Sequence, residues 1–213
     1  GVRLEDIHKY LEKRGIRHML DIIDTDSTRA VKLVHNMLAF SRKSASAFTS
    51  VDVCALLDRA LEFSLADYDL RKNYNFKKIR IDKEYQAELK EVQCEETNIQ
   101  QVFLNIIRNA VHAMAENSDS NEPPRIILRV KADGEMARVE IEDNGCGMDQ
   151  NISRKIFEPF YTTKAVGKGT GLGLSISYYI VTSQHNGVLR VESVPGQGSV
   201  FTICLPFQQN QQS

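Results

Sequence analysis

Apolar residues recur most regularly between Thr97 and Glu116. There Ile99, Val102, Phe103, Ile106, Ile107, Ala110, Val111 and Met114 keep the i, i+3, i+4, i+7 spacing of one helix face. Beside that stripe runs a polar one of Asn98, Asn105, Asn109 and His112. The spacing predicts a helix with one face in a core and the adjoining face toward something polar. A second run, from Ile16 to about Ser44, contains no Pro or Gly and follows a break at Gly15. Its positions 16, 20, 23, 27, 30, 34, 37 and 41 carry Ile, Leu, Ile, Ser, Ala, Val, Met and Ser at steps of four and three. That spacing is heptad-like and predicts a long helix of about 40 Å in a bundle or coiled coil. Leu33, Leu38 and Phe40 widen the stripe beyond what one partner covers; an amphipathic helix lying on its own domain is the alternative.

The segment Ser44–Ser50 is rich in small residues and reads as a linker. Asp52 then caps a helix to about Asp67, with Val53, Leu56, Leu57, Ala60, Leu61 and Phe63–Ser64 on its apolar face. Alternation predicts strands at Lys78–Asp82, Arg125–Ala132 and Ala137–Glu142, the last two joined at Asp133-Gly134, and a shorter one at Glu91–Cys94. Gly171–Gln184 reads as a helix ended by Asn186-Gly187. Val188–Ser193 and Ser199–Leu205 read as a final strand pair around Pro195–Gly198. The division expected is a helical region at 1–46, an α/β domain at 47–207 and a disordered tail at 208–213.

Composition excludes more than it identifies. The chain has 213 residues, 26% charged, with a net charge of −1 and no long basic run. A nucleic-acid or membrane-surface role therefore gains no support. No apolar segment reaches the roughly 18 residues needed to span a bilayer. The four cysteines are scattered, without a C-x-x-C, as in a reduced cytoplasmic protein.

Four features carry candidate chemistry. Asn105 and Asn109 lie one helical turn apart, so both amides point the same way and could offer hard oxygen ligands to Mg²⁺. By themselves they also fit a solvated edge. Asp143 ends a strand and is followed by Asn144-Gly145-Cys146-Gly147; it could accept a hydrogen bond from an adenine amino group, although Asp-Asn-Gly is also a common turn. Gly169-Thr170-Gly171-Leu172-Gly173-Leu174 precedes an apolar helical run, where free N–H groups and the helix dipole favour phosphate. Lys164, just before it, could reach terminal phosphates as a point charge.

Together these segments resemble the N, G1, F and G2 boxes of sensor histidine kinases: Asn105–Ala110, Asp143–Gly147, Phe157–Lys164 and Gly169–Leu174, in that order. The resemblance extends over residues 51–206. It implies an α+β fold, a two-layer α/β sandwich of the histidine kinase, gyrase and chaperone ATPase type, with a mixed sheet covered on one face by helices. It further implies ATP and Mg²⁺ as cofactors, with Asn109, helped by Asn105, holding the metal. Asp143 would read adenine, with Gly145 and Gly147 lining the base and residues 149–170 forming a mobile lid. Phosphate would sit on Gly169, Gly171 and Gly173 and the helix after them, so that Thr170, Leu172 and Leu174 lie in the site. Lys164 would act on the transferred group, His112 would face phosphate or ribose, and Ser199 would lie near the adenine.

Val31–Arg42 is similar to the end of the second helix of that family's dimerisation and phosphotransfer hairpin, so a homodimer through the hairpin and a response-regulator receiver as partner are implied. The family's acceptor histidine is followed by an acid and, soon after, by Pro. His8, His18 and His35 are followed by Lys9, Met19 and Asn36, and the first proline is Pro123. The acceptor helix is therefore expected to be missing from this chain, which would then not phosphorylate itself.

Related ATPases carry Glu where Asn105 stands, as the base that deprotonates water or serine. A histidine nitrogen already has a free lone pair at pH 7, so Asn105 points to phosphotransfer to histidine. An ATP hydrolase of the same fold and a non-catalytic nucleotide-binding module are the alternatives.

Overall fold

The computed structural model describes residues 3, 10–16, 18–20, 23, 27, 48–66, 79–117, 122–164 and 169–209. The chain divides into two units, Gly1–Lys43 and Ser44–Ser213. In the first, residues 10–13 and 18–20 are helical on either side of a turn that includes Gly15, and Tyr10, Met19, Leu20 and Ile23 are exposed. The rest of the heptad-like run, Val31–Arg42 included, lies outside the described residues, as does most of the tail.

The second unit is built from β1 (Thr49–Val51), α1 (Val53–Ala66), β2 (Arg80–Tyr85), β3 (Val92–Cys94), α2 (Glu96–Glu116), β4 (Arg125–Asp133), β5 (Met136–Asp143), α3 (Gln150–Lys155), α4 (Gly173–Tyr179), β6 (Val188–Val194) and β7 (Gly198–Pro206). Five strands form one sheet in the order β2-β4-β5-β7-β6, with β2 parallel to β4 and the remaining pairs antiparallel. β1 and β3 make a separate antiparallel pair.

All eight apolar residues of the α2 stripe are buried. The helix packs on β5 and β7 on one side and meets α1 and α4 on others. Alternation along β5 sends Ala137, Val139, Ile141 and Asp143 inward. On the opposite face of the sheet, among the described residues, side chains form ion pairs within and across strands. Arg129 lies 2.8 Å from Glu84 and 2.5 Å from Glu142, while Arg138 lies 2.7 Å from Glu140 and 3.6 Å from Asp133. The sheet is thus mixed and covered by helices on one face.

Several local expectations need correction. The end of the small-residue linker is not free: Thr49–Val51 pairs with β3. Phe63, expected on the apolar face of α1, is 57% exposed, and Ser64 takes the buried position by donating its hydroxyl to Ala60 O. The strand expected at Lys78–Asp82 runs from Arg80 to Tyr85. Within residues 149–170, Asp149 caps the short helix α3 by accepting from the amides of Asn151 and Ile152.

The helix expected at Gly171–Gln184 starts only at Gly173, and its last turn widens to a π turn over Ile180–Gln184. The cause sits just beyond it. The fully buried His185 donates its backbone N–H to Ile180 O at 3.1 Å, with its ring Nδ1 2.9 Å from the same oxygen. Its Nε2 accepts the backbone N–H of Glu95, at the start of α2, at 3.0 Å. An acceptor at Nε2 fixes the hydrogen on Nδ1, so the ring is the neutral Nδ1–H tautomer. The wide turn lets one imidazole tie the end of α4 to the beginning of α2.

Among the described residues no helix is long and apolar enough to cross a membrane. Asp52 accepts from the amides of Cys54 and Ala55 at the start of α1. Replacing it by Ala is expected to lower the unfolding free energy by about 1 kcal/mol, read as a lower urea midpoint at unchanged slope.

Candidate nucleotide site

Asn105, Asn109, His112 and Glu116 recur along α2 at steps of four, three and four, on the face beside the buried stripe. From Asn105 to Ala113 the helix rises about 12 Å, enough to lay a base, a sugar and a phosphate chain along it. The residues singled out in the sequence cluster at the two ends of this track.

At the far end β5 stops against α2. Asp143 is 3% exposed and faces Ser199 across the β5–β7 register. Its Oδ1 accepts the Gly145 N–H at 2.8 Å. Burial pushes the carboxyl up to about 6, against the lowering effect of the Gly145 and Ser199 amides. Gly145 passes so close to α2 that a Cβ there would lie 2.6 Å from Ala113, which only glycine permits. The loop is docked on both sides. Cys146 N–H donates to Ala113 O at 3.0 Å, and Cys146 O accepts the Gly196 N–H at 2.7 Å. Gly147 packs against Val194.

At the near end the Asn105 side chain meets the start of α4. Its Nδ2 donates to Gly173 O and to Ser177 Oγ, both at 3.2 Å. Ser177 gives its own hydrogen to Gly173 O at 2.9 Å, so both atoms facing Asn105 are acceptors. The amide must therefore present its NH₂ to α4 and keep its oxygen for the other side. Asn109, half-buried, follows one turn on.

Lys164 lies beside His112 and Glu116 on the last turns of α2. Burial lowers the Lys164 ammonium, and Glu116 partly offsets this. Burial, with Lys164 and Arg108 nearby, pushes His112 down to about 4, so it is a neutral imidazole at pH 7. The aliphatic stem of Lys164 borders Gly169. In the glycine-rich segment, Leu172 is buried and can offer only backbone to a ligand, and its N–H donates to Thr170 Oγ1 at 3.4 Å. Leu174 and Gly173 are half-buried, Thr170 is exposed, and residues 165–168 lie outside the described residues. Gly171 has φ +65°, and a Cβ there would lie 2.4 Å from the Phe160 backbone, whose N–H donates to Gly171 O at 2.9 Å. Phe160 itself has φ 67° and is 59% exposed. A bulky residue in that region marks stored strain at the junction of the two loops.

A Mg²⁺ ion fits this donor set. The track offers neutral amide oxygens, and among the described residues no cluster of three His, Cys, Asp or Glu is placed to hold a metal. Such a site suits an ion that brings water and phosphate oxygens as its remaining ligands.

Sequence reasoning missed Asn117 and Ser193, whose side chains grip the loop after β5, and Ser177, which accepts from Asn105 at the start of α4. Asn117 follows α2 by one residue, but no local pattern marks Ser177 or Ser193.

Residues 94–209 match the family model described as histidine kinase-, DNA gyrase B- and HSP90-like ATPase. The chain belongs to that family. Within it, the domain is the ATP-binding domain of the sensor histidine kinase branch. The signal transduction histidine-protein kinase AtoS of Escherichia coli K12 is 37% identical over 176 residues, 82% of this chain and 26% of that protein. The nucleotide-free catalytic domain of histidine kinase ThkA superposes with a TM-score of 0.63 at 29% identity, covering 76% of this chain and 97% of that one. ThkA in complex with the response regulator protein TrrA gives a TM-score of 0.68 at 26% identity, covering 91% and 52%. The chain thus spans about a quarter of the curated kinase it matches.

With its folded value raised to about 6, the Asp143 contribution to apo stability is full below pH 4 and is lost as pH rises through 6. Asp143→Asn should therefore stabilise the apo protein at pH 7 by on the order of 1–3 kcal/mol while weakening nucleotide binding at least about tenfold. Denaturation and titration of the same sample read both signs. Wild-type affinity for ATP should fall as pH drops through 6, with His112, already neutral, contributing nothing there. Gly171→Ala should abolish measurable nucleotide binding, since both the φ and the Phe160 backbone forbid a Cβ; isothermal titration checks it.

Proposed function

We propose that this chain binds Mg·ATP along the polar face of α2 and transfers the γ-phosphoryl group to a histidine of a helical hairpin, for relay to a response-regulator aspartate. Adenine meets Asp143, with Gly145, Gly147 and Ser199 around it. The phosphates lie toward Gly169, Gly171 and Gly173, with Thr170, Leu172 and Leu174 lining the segment, and Lys164 reaches the terminal group. Asn109 and the Asn105 oxygen hold Mg²⁺, which neutralises charge on the phosphates when bound. The neutral His112 offers a hydrogen bond to ribose or phosphate.

The observation that carries this reading is the Asn105 amide. Its NH₂ is held by two acceptors of α4, so the position usable by a general base in a hydrolase is a structural donor here. The acceptor histidine attacks phosphorus with its neutral lone pair, the bond from phosphorus to the β–γ bridging oxygen breaks, and ADP departs. Positioning and charge neutralisation do the work, as expected for phosphoryl transfer. The receiver partner is supported by the ThkA–TrrA complex, and a dimer through the hairpin by the heptad-like run.

Incubation with γ-labelled Mg·ATP, with and without a hairpin bearing an acceptor histidine, tests the reaction. Acid-labile label on the added hairpin with little free phosphate is expected; rapid phosphate release without label would overturn it. Asn105→Asp sets a carboxylate against Gly173 O and Ser177 Oγ. It should cut transfer about tenfold or more without generating an ATPase. Fast phosphate release by that variant would show that the amide's tethering role is wrong.

A further inference from the structure

We infer that Asn117 and Ser193 are positioning residues for base recognition, clamping the loop Asn144–Met148 from the helix side and the hairpin side. The inference rests on the reading of Asp143 as the adenine acceptor.

Asn117 is the first residue after α2. Its Nδ2 donates to two successive backbone carbonyls of the loop, Asn144 O at 3.2 Å and Gly145 O at 3.1 Å. Ser193, near the end of β6, accepts the Met148 N–H on its Oγ at 2.8 Å. The same Oγ lies 2.9 Å from Gly198 O and 2.9 Å from Ser199 Oγ, so one hydroxyl joins the loop to both strands of the β6–β7 hairpin. Between these clamps Asn144 is pinned as well: Arg125 N–H donates to its Oδ1 at 2.7 Å and its Nδ2 donates to Pro123 O at 2.9 Å.

The direction of the Asp143 carboxylate depends on this loop, because its Oδ1 is held by the Gly145 N–H. Gly145 is in turn fixed by the Asn117 bond to its carbonyl. Releasing Asn117 frees the peptide that aims Asp143, and releasing Ser193 frees the loop's other end. Neither side chain needs to touch the nucleotide. A base-reading hydrogen bond tolerates little displacement, so loss of either clamp should be read as weaker adenine binding with the phosphate end intact.

The test compares the full chain with Asn117→Ala, Ser193→Ala and Ser193→Thr, titrated with Mg·ATP and with Mg·tripolyphosphate, which has no base. Both Ala variants should bind ATP about tenfold more weakly and tripolyphosphate as wild type does, while Ser193→Thr, which keeps the hydroxyl, should restore ATP binding. In an Asp143→Asn background Asn117→Ala should cost less than in wild type, because the group it positions is already gone. Equal losses for both ligands, unchanged ATP affinity, or full additivity with Asp143→Asn would overturn the inference. If Asn117→Ala does not fold, the Ser193 pair decides by the same two ligands. Wild-type chain that binds no Mg·ATP would instead sink the nucleotide reading itself.

Discussion

The burial of α2 is the constraint on which the rest depends. Eight apolar side chains on one stripe are taken from water by β5, β7, α1 and α4, and this burial supplies most of the helix's reason to exist. It also fixes the helix in rotation. Once Phe103, Ile106 and Ile107 face the core, Asn105, Asn109 and His112 can only face the neighbouring groove. A helix held this way acts as a rigid floor whose polar groups cannot swing away from a ligand, which is what recognition at both ends of a nucleotide requires.

The glycine-rich segments gain definition from that floor. The loop after β5 hydrogen-bonds to the last turn of α2 through Cys146 and Ala113, and α4 is stitched to its middle through Asn105 and to its beginning through His185. The Asp143 loop and the glycine-rich segment thus refer to one element. Displacing α4 would move the glycines and the Asn105 oxygen together. The strained Phe160–Gly171 crossing marks where the segment leading into α4 bends around the preceding loop.

Electrostatics divides the labour along the track. Burial raises the Asp143 carboxyl and lowers both the His112 imidazole and the Lys164 ammonium, with Glu116 partly offsetting the effect at Lys164. The apo protein therefore carries a cost at one end that a donor from a base would relieve. Beside His112 and Glu116 stands the Lys164 ammonium, a point charge that a phosphate chain would meet. The charged ladder on the far face of the sheet, Arg129 and Arg138 with their carboxylates, is separate from this and keeps that face in water.

Periodicity alone marked α2, its polar stripe and the alternating strands β4, β5, β6 and β7, because the burial that stabilises them repeats at the helix or strand period. The four boxes made the family legible, since each needs particular residues at fixed spacing. Other features required the fold. No local pattern says that β2 lies parallel to β4, that the linker's end pairs with β3, or that Phe63 faces water. The π turn could not be foreseen either, because it exists to bring His185 to the Glu95 amide, 90 residues away in the chain. The same holds for Asn117 and Ser193, polar residues in segments where polar residues are ordinary. The sequence by itself determined which residues are apolar, which are glycine and which match the four boxes. Which donor meets which acceptor across the chain was decided only when the core closed, because hydrogen bonds between distant segments leave no period in the sequence.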